Sequence, residues 1–124
     1  MKIGELARRS GLSIDTIRWY ERIGLLPTAA RAASGQRDYD ESILVWIAFL
    51  GRLKTTGMAV RDMVSYARWR EQGDQTRDQR GALLRRHRDA VRGRIAELQA
   101  CLGVLDDKIA LYSGPENNHD PDHG

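Results

Sequence analysis

Residues 10–27 have the sequence SGLSIDTIRWYERIGLLP, and this stretch decides the fold of the chain. Gly11 interrupts the helical spacing of the apolar residues before it. Ser13 is a good N-cap for a new helix, because its hydroxyl can accept a hydrogen bond from a free amide in the first turn. Gly24 can adopt the positive φ that ends a helix. The stretch therefore predicts a helix over 14–22, preceded by a tight turn and another short helix.

Two short helices that cross closely form a helix-turn-helix unit when the residues at the crossing allow it. The crossing needs a small residue, the turn needs a glycine, and the second helix needs apolar residues where it docks. These demands are met by Ala7, Gly11, Leu12, Ile17 and Tyr20. A plain helical hairpin would meet several of the same demands, so the exposed residues of the second helix must decide between the two.

The outward face of the second helix has the chemistry of a DNA-reading surface. Its residues are Thr16, Arg18, Trp19 and Arg22. They suit phosphate contacts, hydrogen bonds to base edges, and packing against sugars or thymine methyl groups. Two alternatives stay open at this point, because Trp19 can instead pack under the following loop and Tyr20 can belong to the core.

The segment after Gly24 predicts a short hairpin, or wing. Two short stretches, 25–27 and 36–39, flank a loop that contains Arg31. Arg31 and Arg37 can reach the phosphate backbone beside the groove that holds the second helix, a contact that orients the protein without selecting sequence. A solvated Arg31 is the alternative.

Two further helices complete the first part of the chain. Asp40 should cap the third helix, with Tyr39 and Leu44 forming a hydrophobic staple around that cap. The predicted buried face of this helix consists of Ile43, Leu44, Ile47, Leu50 and Leu53. The fourth helix should carry the apolar residues Val60, Met63, Val64 and Ala67 and end near Gly73.

A long helix follows, and its apolar pattern predicts a dimer. Thr76 and Gln79 have the spacing of a capping box, and a helix from there to Tyr112 would be roughly 55 Å long. Its apolar positions are Leu84, Val91, Ile95, Leu98, Leu102, Leu105, Ile109 and Tyr112, in steps of four and three from Val91 onward. This is a coiled-coil seam, and because burial of each large aliphatic side chain contributes roughly 1.5–3 kcal/mol, it requires a partner helix. We expect a homodimer.

The composition supports this organisation. The chain has 124 residues, 41% of them hydrophobic and only 6% aromatic, which suits small helices with a modest core. Twenty lysines and arginines against 17 acidic residues mildly favour a polyanionic partner. We predict a DNA-binding domain over 1–73, a dimerisation helix over 74–112 and a disordered tail over 113–124.

Several function classes find no support in the sequence. The single cysteine, Cys101, excludes an internal disulfide, and no apolar run approaches the ~18 residues that a membrane span needs. The first residues lack the apolar stretch of a signal peptide, so we expect a cytoplasmic protein that contacts no membrane. No phosphate loop, zinc-binding spacing or paired acid arrangement is present. We therefore expect neither an enzyme nor a bound cofactor or metal.

Three motifs resemble the signature of the mercury-resistance regulator (MerR) family. They are Ile3-Gly4-Glu5-Leu6-Ala7, the run TIRWYERIGLLP over 16–27, and Arg37-Asp38-Tyr39. Trp19 stands where the family usually has tyrosine. The resemblance implies a mainly α fold: a winged helix-turn-helix DNA-binding domain followed by a long C-terminal helix, which dimerises as an antiparallel coiled coil.

The resemblance also implies a mechanism. Such a homodimer grips a pseudo-palindrome in double-stranded promoter DNA whose spacer is too long for RNA polymerase to engage both promoter elements. Effector binding then distorts the DNA and realigns them, so RNA polymerase is an indirect partner. The resemblance assigns DNA contact or support to Arg18, Trp19, Tyr20, Arg37 and Tyr39, and a phosphate contact to Lys54. With the residues from the pattern above, the candidate DNA-binding set is Ser13, Thr16, Arg18, Trp19, Tyr20, Arg22, Arg31, Arg37, Tyr39 and Lys54.

The signal is not determined by the sequence. The family's metal sensors use cysteines at the start of the long helix and in a loop after it, and this chain has neither group. Cys101 is either a small packing residue or a thiol sensor for electrophiles or oxidants. His119 and His123 belong to the tail, where Pro121 prevents a helix that would align them. An aldehyde or other electrophile, an oxidant, a drug, a metal, or no effector all stay open.

Two other functions compete with an effector-controlled regulator. One is an adaptor that uses the coiled coil for protein partners and keeps a vestigial DNA-binding fold. The other is a constitutive architectural protein or repressor without an effector. Sequence-selective DNA binding separates the adaptor from the regulator.

Overall fold

A computed structural model describes residues 1–27, 30–31 and 37–113. Its elements in chain order are α1 (Ile3–Ser10), α2 (Ile14–Ile23), β1 (Ala30–Arg31), β2 (Arg37–Asp38), α3 (Ser42–Thr55), α4 (Val60–Gln72), a 3-10 turn (Asp74–Thr76) and α5 (Arg77–Ser113). The predicted mainly α fold is confirmed. The chain divides into two compact units, here called the N-terminal unit (1–85) and the C-terminal unit (86–124). The division at residue 73 stays a prediction.

The turns around α2 form as the sequence predicted. Gly11 ends α1 with a φ of 79°, and its amide donates to the carbonyl of Ala7. Gly24 ends α2 with a φ of 89°, and its amide donates back to the last turn of that helix. A side chain is strained at such positive φ values, so glycine is required at both positions. The two glycines thus set where α1 and α2 end.

The core of the N-terminal unit lies between α1, α2, α3 and α4. Its most deeply buried side chains are Leu6, Ile17, Leu25, Leu50 and Met63. The sequence pattern had missed Trp46, which is buried in α3 and donates its indole N–H to the carbonyl oxygen of Leu25 at 2.7 Å. This bond joins Leu25, two residues after α2, to the first half of α3, so the core also holds the end of α2 in place.

The starts of α3 and α5 differ in how well they were predicted. α3 begins at Ser42, and its N-cap position is Glu41, whose side chain makes no cap hydrogen bond, so the prediction of Asp40 as the cap is wrong by one residue. Asp40 lies one position earlier, where its carboxylate accepts a hydrogen bond from the Ser42 amide at 3.2 Å. The capping box predicted for Thr76 and Gln79 is wrong. Instead of capping α5, the Thr76 hydroxyl donates to the backbone carbonyls of Trp69 and Gly73. Thr76 is therefore part of the connection between α4 and α5.

The first turns of α5 belong to the N-terminal unit. Leu83, which the sequence analysis had not singled out, is buried in the core. Leu84, which was assigned to the dimer seam, is partly buried and packs against the same core. The apolar surface that this chain leaves uncovered therefore starts further along the helix.

The C-terminal unit contains, among its described residues, the rest of α5 from 86 to 113. The seam residues from Ile95 to Tyr112 are between 50% and 61% exposed. No helix among the described residues is long and apolar enough to cross a membrane. The predicted disordered tail, apart from its first residue Ser113, lies outside the described residues.

Candidate nucleic-acid interface

The two faces of α2 have opposite character. Ile17 and Tyr20 point into the core, with exposed fractions of 0% and 6%. Arg18, Trp19 and Arg22 lie on the other face and are exposed. Because the buried face anchors the helix, the exposed face is presented to solvent with two cations and one aromatic ring. This is the arrangement that the sequence predicted for a recognition helix.

Trp19 lies at the surface of this unit. Its side chain is 40% exposed, and its ring packs at a tilt against the ring of Tyr20, with 5.5 Å between the centroids. The contact restricts the indole on one side and leaves part of it accessible. An exposed aromatic ring of this kind can pack against a sugar or a thymine methyl group.

The first turn of α2 is held by two hydroxyl groups. The Ser13 hydroxyl oxygen accepts a hydrogen bond from the Thr16 amide at 3.0 Å, which is the predicted N-cap. The same hydroxyl donates to the Thr16 hydroxyl oxygen at 2.9 Å. The proton of the Thr16 hydroxyl can then be donated outward, for example to a phosphate oxygen. This cap orders the end of the helix at which amide groups point toward an anionic ligand.

The two tyrosines of the candidate set are structural. Tyr20 and Tyr39 are both buried in the core. The Tyr39 hydroxyl donates to the carboxylate Oε1 of Glu21 at 3.1 Å. This bond links the end of β2 to α2. Both rings therefore support the position of the recognition helix, and the alternative that placed Tyr20 in the core is the one that the structure supports.

The described part of the wing consists of the short antiparallel strands β1 and β2. Arg31 and Arg37 are paired across these strands, so a hairpin forms as predicted. Its first strand is Ala30–Arg31 and not the predicted stretch 25–27, so Arg31 lies in a strand and not in the loop. The side chains of Arg31 and Arg37 lie outside the described residues. Beside them, the N-terminal ammonium group of Met1 donates to the Asp38 carboxylate at 2.8 Å and lowers the pKa of that carboxyl. The Tyr39 amide donates to the Met1 carbonyl at 2.7 Å, so the base of the wing is attached to the start of the chain.

An exposed ion pair joins α1 to Glu41, the residue directly before α3, and the sequence pattern does not predict it. The guanidinium of Arg9 donates to both carboxylate oxygens of Glu41 at 2.9 Å, and to Glu5 at 3.2 Å. The hydrogen bonds to Glu41 raise the pKa of Arg9, and those from Arg9 lower the pKa of Glu41. Two-point contacts of this kind fix orientation as well as distance. Glu41 lies 32 positions from Arg9 in sequence, and the spacing of residues along the chain does not indicate a contact over such a separation.

Lys54, the candidate phosphate contact outside the helix-turn-helix unit, is exposed in the last turn of α3. The helix ends directly after it, where the Thr56 hydroxyl donates to the carbonyl of Arg52 at 2.7 Å. Lys54 is therefore accessible to an anionic partner.

Comparison with known proteins identifies the family. The model described as MerR family regulatory protein matches residues 2–39, and the model described as MerR, DNA binding matches residues 44–108. The chain belongs to the MerR family. It is a helix-turn-helix transcriptional regulator, and the family is not enzymatic.

The relatives of this MerR regulator include proteins of similar length. An uncharacterized helix-turn-helix transcriptional regulator of Haemophilus influenzae is 36% identical over 86% of this chain and 78% of its own length. Among solved structures, a putative MerR family transcriptional regulator from Listeria monocytogenes has a TM-score of 0.85 and 36% identity, over 93% of this chain and 87% of the other. HiNmlR, described as a MerR family regulator lacking the sensor domain and bound to promoter DNA, has a TM-score of 0.79 and 34% identity. That match covers 90% of this chain and 88% of the other.

A cluster of aromatic residues in this MerR regulator also escaped the sequence analysis. The rings of Trp46 and Tyr66 stack with 6.0 Å between centroids, and Phe49 packs against both rings. The guanidinium of Arg70 lies over the Trp46 ring, 4.4 Å from its centroid. The cluster joins α3 to α4. Trp46 and Phe49 are three residues apart in α3, and Tyr66 and Arg70 are four apart in α4. Side chains at these separations share a helix face, and this spacing could have indicated the cluster.

The described residues of this MerR regulator contain no group of three or more histidine, cysteine, aspartate or glutamate side chains that could hold a metal ion. Cys101 is exposed on α5. His119 and His123 lie outside the described residues.

Proposed function

We propose that the chain binds a pseudo-palindromic element of double-stranded promoter DNA as a homodimer, and that it distorts the promoter spacer in response to an effector. The observation that carries the proposal is the exposed face of α2, where Arg18, Trp19 and Arg22 stand above a buried face. The similarity to HiNmlR bound to promoter DNA supports the same assignment.

The candidate residues divide by the kind of contact that each can make. Arg18 and Trp19 are the candidates for reading bases, because they project from the middle of the recognition helix. The candidates for phosphate contacts are Ser13, Thr16, Arg22, Arg31, Arg37 and Lys54. Phosphate contacts position the protein, whereas base contacts select the sequence. Tyr20 and Tyr39 act by supporting α2 from the core.

The exposed seam of α5 supports the homodimer. The residues from Ile95 to Tyr112 leave large apolar side chains half or more exposed in one chain, in steps that suit a coiled coil. Val91 is partly exposed and continues the same steps. The proposed interface consists of Val91, Ile95, Leu98, Leu102, Leu105, Ile109 and Tyr112. Leu84 contributes at its edge, since part of its surface packs in the core of its own chain.

Promoter distortion is the proposed route to regulation. Bending or untwisting a site costs several kcal/mol as an order of magnitude, and a ligand that favours one dimer geometry can shift that balance. RNA polymerase then engages a realigned promoter without direct contact being required. We place this activity in the cytoplasm, with 1–73 as the DNA-binding domain, 74–112 as the dimerisation helix, and 113–124 as a tail.

Footprinting tests the proposal. The purified protein is bound at stated salt to the DNA upstream of its own gene, in the presence of unrelated competitor DNA. Protection of a dyad inside an over-long promoter spacer is the expected result. Binding that is salt-sensitive but unselective would contradict the proposal and favour the adaptor or architectural function.

Arg18→Ala sharpens this test. Loss of a base contact should weaken specific binding by about 1–3 kcal/mol, while sedimentation still shows the dimer. Arg86→Ala, which removes an exposed arginine from α5, is the matched control and should bind the dyad as the unmodified protein does. Equal DNA binding by the two variants would show that Arg18 is not part of the DNA interface.

A further inference from the structure

A pocket of about 270 Å³ lies between α4 and the first turns of α5, within the N-terminal unit. It is here called the α4–α5 pocket, and it is lined by Tyr66 of α4, Asp74 of the 3-10 turn, and Arg77, Arg80, Gly81 and Leu84 of α5. Its volume is close to the lower end of the range for small-molecule sites, which is roughly 300–1,000 Å³. The pocket therefore suits a small ligand.

The charge of the pocket is positive. Two of its lining residues are arginines and one is an aspartate. A third guanidinium lies beside it, since a Cβ added to Gly81 would lie 3.1 Å from Nη1 of Arg85 and 3.4 Å from its Nη2. Glycine weakens a helix relative to alanine, and here the missing side chain leaves room for the Arg85 guanidinium against the wall of the pocket. Three arginines against one carboxylate favour an anionic ligand.

The three guanidinium groups differ in the bonds that they already make. Arg80 is anchored, because its Nε donates to the Thr76 hydroxyl oxygen at 3.2 Å and its Nη2 donates to the Gly73 carbonyl at 3.1 Å. The side chains of Arg77 and Arg85 are exposed and form no hydrogen bond or ion pair within the part of the chain that the structure describes. Their N–H groups are therefore available to the oxygens of a carboxylate or a phosphate.

Tyr66 and Leu84 give the pocket an apolar side. Both are partly buried and pack against the core of the N-terminal unit. A ligand with an apolar body can pack against these two residues while its anionic group meets the arginines. This combination fits a small organic carboxylate or phosphate ester better than it fits a bare inorganic ion.

Tyr66 also connects the pocket to the recognition helix. Its ring stacks on the ring of Trp46 with 6.0 Å between the centroids, and the Trp46 indole donates to the carbonyl of Leu25 at 2.7 Å. Leu25 lies two residues after Ile23, the last residue of α2. A ligand that moves Tyr66 therefore acts through two successive contacts on the end of the helix that presents Arg22.

We propose that the α4–α5 pocket binds a small organic anion through Arg77, Arg80 and Arg85, and that this anion is the effector of the regulator. Binding of the anion requires no DNA, whereas its role as effector rests on the proposed function. The ligand contacts both α4 and α5, so it favours one arrangement of these two helices. Such a preference is what allows a ligand to shift an equilibrium between two conformations.

An NMR titration of the isotope-labelled full chain, without DNA, tests the site. The probes are benzoate and phenyl phosphate, which share a ring and differ in the anionic group. Saturable binding of one anion per chain is expected, and the tighter of the two probes identifies the preferred anionic group. Benzamide, an uncharged analogue of benzoate, should not bind. Absence of saturable binding by both anions, or binding of benzamide as tight as that of benzoate, would overturn the proposal.

Substitutions test which residues hold the anion. Arg77→Gln and Arg85→Gln should each raise the Kd of the bound probe by roughly three- to tenfold, because each removes a charged donor. Asp74→Asn should instead lower this Kd, because it removes the carboxylate from the pocket. Arg86→Gln is the matched control, since Arg86 is an exposed neighbour of Arg85 that does not line the pocket. An equal loss in Arg86→Gln would show only general attraction to a basic helix and would overturn the site.

Binding to the protected dyad tests the role as effector. Saturation of the pocket should change the Kd for this DNA, or the bend of the DNA measured by energy transfer between its labelled ends, and a change in Kd of about fivefold or more is expected. The double variant Arg77→Gln/Arg85→Gln should show no response to the anion. An anion that binds the pocket and changes neither quantity would overturn the effector role.

The same measurements separate this inference from the proposed function. If the protein protects no dyad with or without the anion, the proposed function fails and the effector role fails with it, while the titration without DNA still decides whether the pocket binds an anion. If the dyad is protected and no anion binds, only the inference about the pocket fails.

Discussion

Leu50 in α3 is 1% exposed, whereas Leu98 in α5 is 60% exposed. The two leucines represent the two units of the molecule. The N-terminal unit covers its apolar residues with helices of the same chain, and the C-terminal unit leaves a regular row of them uncovered. Since burial is the main favourable term in folding, the N-terminal unit gains stability from its own apolar contacts, whereas the exposed row of the C-terminal unit gains none within one chain. This difference is the basis of the proposed homodimer.

Charged substitutions in the seam should have the largest effect, because they act on the apolar surface that distinguishes the C-terminal unit. The double substitution Leu98→Asp/Leu105→Asp should dissociate the proposed dimer, because each leucine buried in its interface would contribute roughly 1.5–3 kcal/mol and four are removed per dimer. The N-terminal unit should keep its fold. Sedimentation velocity measures the first effect, and circular dichroism the second. Val104→Asp, at an exposed position outside the seam, is the control and should leave the dimer intact. Dimers of unchanged stability would refute the seam.

Truncation of a core side chain should instead destabilise the fold of the N-terminal unit. Leu50→Ala should lower the free energy of unfolding by about 2–5 kcal/mol, because it opens a cavity among buried side chains. Urea unfolding measures the loss. Val45→Ala is on the same helix but at a position 74% exposed, and it should change the free energy by less than about 0.5 kcal/mol. Equal effects of the two substitutions would show that Leu50 does not lie in the core.

Removal of the α2 cap should have a smaller effect. Ser13→Ala deletes the acceptor for the Thr16 amide and should lower the free energy of unfolding by about 1 kcal/mol. Ser65→Ala is the matched control, since that hydroxyl only donates to the carbonyl of Arg61 within α4. A loss from Ser65→Ala as large as that from Ser13→Ala would argue against the cap.

The exposed pair between Arg9 and Glu41 should give the smallest effect and a distinctive pH dependence. The pKa of Glu41 is lowered in the folded protein, so its contribution to stability is present at neutral pH and is lost as the pH falls through the lowered pKa. The difference in thermal stability between Glu41→Gln and the unmodified protein should therefore shrink as the pH falls below the ordinary pKa of a glutamate and disappear below the lowered pKa of Glu41. Glu71→Gln, an exposed carboxylate near the end of α4, is the control. A Glu41→Gln difference that persists in acid would show that the ion pair is not its source.

Much of the N-terminal unit could be predicted because its signals are local. Gly11, Ser13 and Gly24 act within one turn of their own position, so the bounds of α1 and α2 follow from short stretches of sequence. The periodic apolar residues of α3 and α5 likewise indicate which face of each helix is buried or available. The exposed face of α2 follows from the same periodicity.

The interactions that escaped prediction join residues distant in sequence. Arg9 binds Glu41, and the Trp46 indole donates to the carbonyl of Leu25. The spacing of Thr76 and Gln79 predicts a capping box, but the Thr76 hydroxyl donates to carbonyls in the preceding helix and in the turn after it. A local motif does not determine the hydrogen bonds of a side chain when the fold brings another acceptor within hydrogen-bonding distance.

The sequence by itself determined the order of the helices, the turn glycines, the row of apolar residues along α5 and the family resemblance, since each depends on residue type and spacing along the chain. Only the tertiary structure decided that Tyr20 and Tyr39 support α2 from the core, that Leu83 is buried, and that Arg9 holds α1 to α3. The physical reason is that the burial of a side chain and its hydrogen-bond partners depend on which elements pack together in the fold. The periodicity of a helix indicates which of its faces is apolar, but not which element covers that face.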